Sequence, residues 1–109
     1  MKEVQVDKFF GFLKNELNYS ELTIKSYQLD LTDFFRFLEK SKKNYLNINN
    51  EDVRSYLKYL DSCKLKNSTI SRRISTLRTF YNYLVDENMV SSNIFKNVKN
   101  PKLEKKLPN

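Results

Sequence analysis

The chain has 109 residues, 39% of them hydrophobic, and a formal net charge of +7, which suits one buried core and not two. It has no His, no Trp and one Cys (Cys63), which excludes His-based acid–base catalysis, His/Cys zinc sites and an internal disulfide. One Gly and two Pro exclude a turn-rich β architecture, and no apolar run approaches the length of a membrane span.

The N-terminus carries acids early and has no apolar signal core, so a cytoplasmic location is expected. Over residues 4–17, Val6, Phe9, Phe10, Leu13 and Leu17 fall within one arc of a first helix. Asn18-Tyr19-Ser20 interrupts it, and Ser20 is placed to cap a second helix over 21–41. Its inward face is Ile24, Tyr27, Leu31, Phe34, Phe35 and Leu38. After a Lys- and Asn-rich loop, Asn49 or Asn50 caps a third helix over 51–62, with Val53, Tyr56, Leu57 and Leu60 inward. A fourth helix over 68–87 turns Ile70, Ile74, Leu77, Tyr81 and Leu84 to the core. Residues 91–97 have the spacing of one further short helix, with Ser92 capping and Ile94, Phe95 and Val98 packing. The fold class is therefore all-α: a compact bundle of four main helices plus this short C-terminal one. Residues 1–98 form the domain, and 99–109 read as a linker toward a further domain.

Charge is unevenly spread. Residues 1–63 balance, so the whole excess lies in 64–109, where only Asp86, Glu87 and Glu104 oppose the Lys and Arg residues. Such a field attracts a polyanion, most plausibly nucleic acid, although basic surfaces also serve solubility alone. On the fourth helix, the arc opposite the core collects Thr69, Arg72, Arg73, Thr76 and Thr79. Arg can fork onto a guanine edge, and Ser or Thr can reach phosphate or a thymine methyl. Ser68 and Thr69 at the helix start add the positive end of its dipole. The second helix offers Lys25, Thr32 and Arg36, with Thr23 and Ser26 in its first turns. On that side, Leu22 and Leu29 suggest partial packing, and Asp30 and Asp33 dilute the field. In the tail, Lys96, Lys99, Lys102, Lys105 and Lys106 suit phosphates without reading sequence. As outer-face residues, Arg72 and Lys25 are expected to tolerate Ala without loss of stability.

Catalysis finds little support. Without His, only Lys, Asp or Glu could activate the Tyr and Ser hydroxyls, Gly11 stands alone within a helix, and Cys63 reads as an inert thiol beside Lys64 and Lys66. No catalytic residue, cofactor, metal or small-molecule substrate is assigned.

The string Tyr19-Ser20-Glu21-Leu22-Thr23-Ile24-Lys25-Ser26-Tyr27, followed by Asp30-Leu31, Phe34 and Phe37-Leu38, resembles the opening of the SAM-like core-binding domain of tyrosine recombinases and phage integrases. That family's form is Ser-x-x-Thr-x-x-x-Tyr-x-x-Asp-Leu-x-x-Phe. The resemblance runs on through Glu51-Asp52-Val53, Tyr56-Leu57, Ser68-Thr69-Ile70, Arg72, Ile74-Ser75, Leu77-Arg78, Phe80-Tyr81 and Tyr83-Leu84 to Asn93, Pro101-Lys102 and Leu107-Pro108. Ile94 departs from it, because the family usually has Pro after that Asn.

The resemblance implies one half of a clamp on double-stranded DNA, with the second and fourth helices in the major groove. Its contacts would be Thr23, Lys25, Ser26, Ser68, Thr69, Arg72 and Arg73. The outer-face reading adds Thr76, and the tail adds Lys99 and Lys102. The catalytic Arg, Lys, His and Tyr of the family belong to a following domain outside this chain, so the fragment itself is expected not to be an enzyme. Other recombinase subunits in a synaptic complex are the implied protein partners, and, with the domain beginning almost at Met1, no arm-binding domain is expected. Two other readings fit the same residues: a helix-turn-helix transcriptional regulator using the third and fourth helices, and a helical protein-interaction module.

Overall fold

Helical spacing of the apolar residues is realised in four α-helices: α1 (Val4–Asn15), α2 (Glu21–Lys40), α3 (Asn50–Ser62) and α4 (Asn67–Asp86). The computed structural model describes residues 4–101, and there is no strand among them. None of these helices is long and apolar enough to cross a membrane.

Side chains fix where α2 and α3 begin. Ser20 Oγ accepts the Thr23 amide at 3.1 Å, and Asn49 and Asp52 form a reciprocal capping box with both bonds at 2.9 Å. By contrast, α4 starts at Lys66 with no side-chain cap. The helix ends are less orthodox. Each is followed by a non-glycine residue in the left-handed region: Asn18, Lys42, Lys64 and Asn88, with φ between 54° and 60°. After α1, Tyr19 bonds back to Leu13 (2.9 Å) across seven residues, and after α2 and α4 the chain closes with a bond spanning six: Lys43 to Leu38 (2.9 Å) and Met89 to Leu84 (2.8 Å). This is the Schellman geometry that normally recruits glycine. A chain whose single Gly lies inside α1 must use Asn and Lys there, against a steric cost.

The core is aromatic. Phe9 and Leu13 of α1, Leu31 and Phe34 of α2, Tyr56 and Leu60 of α3, and Leu77 and Phe80 of α4 are all essentially sealed from solvent. Edge-to-face contacts join the helices, with centroids 5.1 Å apart for both Phe9–Phe80 and Phe34–Tyr56. Each such pair contributes about 1 kcal/mol beyond its area burial. Tyr81 lies inside the core and still satisfies its hydroxyl, which donates to the Tyr45 carbonyl at 2.6 Å.

Residues 91–97 do not form the short helix that their spacing suggests. They run as turns along α4. The Asn93 side chain accepts the Phe95 amide (2.9 Å) and donates to the Arg78 carbonyl (2.9 Å) and to Asn82 (2.8 Å). The Arg78 guanidinium takes the carbonyls of Phe95 (3.2 Å) and Val98 (2.6 Å) and the Asn100 side chain (3.0 Å). Carbonyls engaged in this way are not available to a helix, and an Asn bonding to local backbone favours a turn. Ser92 does not cap, whereas Phe95 is buried as expected, against Phe34 and Tyr81.

Relieving a left-handed lysine should stabilise the fold. Lys42→Gly is expected to add about 0.5–1 kcal/mol in urea denaturation, while Gln28→Gly at an exposed position inside α2 should remove about as much.

Candidate nucleic-acid interface

Of the side chains read from the outer faces, Arg72, Arg73 and Thr76 meet at the junction of α2 and α4, and the residues that organise that junction are acidic. Asp30, 1% exposed, receives Arg72 Nε at 3.1 Å and Nη2 at 2.5 Å, with the Thr76 hydroxyl at 2.8 Å. One turn on, Asp33 accepts Arg73 Nη1 at 2.7 Å, Tyr56 OH at 2.8 Å and Tyr59 OH at 3.0 Å. Arg73 Nε lies 3.7 Å from Asp30, too far for a hydrogen bond, and is buried without a hydrogen-bond partner among the described residues. Two carboxylates of α2 thus oppose two guanidiniums of α4, and the α3 phenols close the far side.

The electrostatic consequences follow from this packing. Hydrogen bonding to Asp30 raises the Arg72 guanidinium above its already high range. Burial, followed by the Asp33 carboxylate, holds the Tyr56 phenol far above its ordinary value. Burial and the hydrogen bond to Asp33 push Tyr59 up to about 12. The two phenols therefore stay protonated at neutral pH and donate to Asp33.

The arrangement sorts the expected contact residues. Thr23, Lys25, Ser68 and Lys99 are exposed, while Ser26 and Thr69 are half-buried. The Arg72 side chain is 46% exposed although its inner edge is held by Asp30. Two residues depart from the outer-arc reading. Thr76 is buried, because its position flanks the α2 contact and its hydroxyl serves Asp30. Arg73 is withdrawn to 18% side-chain exposure, because the carboxylates of α2 draw it inward. Lys102, Lys105 and Lys106 lie outside the described residues. Leu22 and Leu29, expected to pack partly, stand 77% and 67% exposed beside Lys25.

Asp30 and Asp33 are the residues organising this junction that the face analysis missed, having treated them as diluting a basic field. One signal for Asp30 was available. It lies four residues before Phe34 and three after Tyr27, on the flank of the apolar arc, where an unpaired carboxylate would be costly.

With this geometry in view, the class is clear: the chain belongs to the family of the phage integrase N-terminal SAM-like domain, whose model matches residues 6–88. Among curated proteins it is similar to the tyrosine recombinase XerC of Staphylococcus aureus strain COL, 47% identical over 110 residues. It is also 44% identical over 108 residues to the tyrosine recombinase XerC of Staphylococcus haemolyticus. Each alignment covers 99% of this chain and 36% of the relative, so the chain spans about a third of those proteins. No solved structure gives a significant match.

The network makes a stability prediction. Arg73→Ala leaves buried carboxylate charge uncompensated and should cost about 3 kcal/mol in chemical denaturation, whereas Lys25→Ala should stay within about 0.5 kcal/mol of wild type. Because Asp30 would lose its fork partner, Arg72→Ala should also lower stability, unlike the neutral outcome its outer-face position suggests.

Proposed function

We propose that this chain is the DNA-binding module of a tyrosine site-specific recombinase. It grips duplex DNA in the major groove and so positions a catalytic domain for strand exchange. The observation that carries this reading is Arg72, a half-exposed guanidinium at the crossing of α2 and α4, in a chain of this family. Thr23, Lys25 and Ser26 lie along α2, with Ser26 about one turn, or roughly 6 Å, from Asp30. Ser68 and Thr69 lie about one turn before Arg72 and Arg73. The start of α4 has no side-chain cap and directs its positive end outward, which suits phosphate.

Roles within the site then divide by exposure. Lys25 and Arg72 face the duplex, and Thr23, Ser26, Ser68 and Thr69 supply short hydroxyl donors. Leu22 and Leu29 flank Lys25 as apolar surface of the kind that meets thymine methyls. Lys99 and Lys102 follow as phosphate contacts, while Arg73 and Thr76 support the face from behind. Residues 99–109 lead toward the catalytic domain. In the assembled recombinase the further partners are other recombinase subunits in a synaptic complex, and the compartment is the cytoplasm.

The test is fluorescence anisotropy with a labelled mixed-sequence duplex. Binding should weaken steeply with salt, and Lys25→Ala should lower the affinity at low salt and flatten the slope of log affinity against log salt by about 0.9. Salt-independent binding, or none at low salt, would remove DNA as the ligand of this face.

A further inference from the structure

We propose that Asp30, an acidic and fully buried residue, is a positioning residue for DNA binding. Its carboxylate holds the Arg72 guanidinium so that the outer edge is already aimed at the duplex. This inference rests on the DNA-binding reading above.

A guanidinium carries five N–H groups in a rigid fork. Asp30 takes the Nε–H at 3.1 Å and one Nη2–H at 2.5 Å, which is the side edge. The end edge, made of Nη1 and the second Nη2–H, is left with no partner among the described residues. Two adjacent donors on that edge match a pair of acceptors, either guanine O6 and N7 or two phosphate oxygens.

Asp30 is itself immobilised. It is 1% exposed, and the Thr76 hydroxyl fixes its Oδ2 at 2.8 Å. The chain Thr76–Asp30–Arg72 therefore runs from the core to the surface and sets the orientation of a side chain that would otherwise sample many rotamers. Ordering Arg72 in advance moves that entropy cost from binding to folding.

A purely structural brace would look different. Arg73 is such a brace: its side chain is 18% exposed, and its Nη1 reaches Asp33 in the interior. Arg72 shares the same acidic cluster yet is 46% exposed. Tying α2 to α4 does not require that exposure, whereas presenting an edge to a ligand does.

The consequence opposes simple electrostatics. Asp30→Asn raises the net charge of +7 by one, so charge alone predicts tighter binding to a polyanion. An amide places N–H groups against the fork and releases Arg72, so positioning predicts weaker binding.

The experiment uses the whole chain and a fluorescein-labelled mixed-sequence duplex at low salt, with wild type, Asp30→Asn, Arg72→Ala and the double variant. Folding of each is checked by near-UV circular dichroism and melting. Asp30→Asn should bind about 2–10-fold more weakly than wild type, yet cause no loss, or a small gain, in the Arg72→Ala background. Should Asp30→Asn not fold, Thr76→Val carries the test: it keeps every charge, removes one of the two bonds that hold the Asp30 Oδ2, and should weaken binding about 2-fold. Wild-type affinity or better in the folded Asp30→Asn variant, or in Thr76→Val where that variant carries the test, overturns the proposal. So does an equal loss with and without Arg72. Absence of salt-dependent binding by the wild type would instead overturn the DNA-binding reading beneath it.

Discussion

Two carboxylates on α2 facing two guanidiniums on α4 are the constraint around which this bundle is arranged. Taking both carboxylates and the Arg73 guanidinium largely out of water is costly, and the cost is offset by the bonds that form together at Asp30 and Asp33. Aromatic packing can tolerate a small rotation of one helix against another, since edge-to-face contacts are broad in angle. A fork bonded at 3.1 and 2.5 Å on one carboxylate cannot. The ion network therefore selects one register of α2 on α4, while Phe9, Phe34, Tyr56 and Phe80 supply the bulk of the burial.

Much of this was legible in the chain. Period-3.6 spacing located all four helices, and Ser20 and Asn49 announced two starts because capping needs only local residues. The helix ends were harder to read: Lys42 and Lys64 accept left-handed backbone that a lysine does not advertise. Residues 91–97 have helical spacing, but Arg78, more than a dozen positions earlier, bonds the Phe95 carbonyl, and the Asn93 side chain accepts the Phe95 amide. Arg73 and Thr76 turned inward for a similar reason. Each lies on the flank of its helix, and only the partner helix decides whether a flank faces water or an acid. A helical wheel contains no partner.

The same pairing revises how the charge should be viewed. By sequence, the first 63 residues balance and the rest are strongly basic. In the fold, Asp30 and Asp33 from the balanced part neutralise Arg72 and Arg73 from the basic part. The field left for a polyanion comes from exposed lysines such as Lys25, Lys96 and Lys99, with Arg36 and the outer edge of Arg72. Direction then matters more than total charge: lysines attract from any angle, whereas an anchored guanidinium accepts a ligand from one side.

The most direct test of the account is amide chemical-shift mapping of the chain titrated with a short duplex at low salt. Shifts centred on Thr23–Leu29 and Ser68–Arg72, extending to Lys99 and Lys102, with α3 unaffected, are the expected result. Shifts centred on α1 or α3, with the α2–α4 junction unmoved, would contradict it.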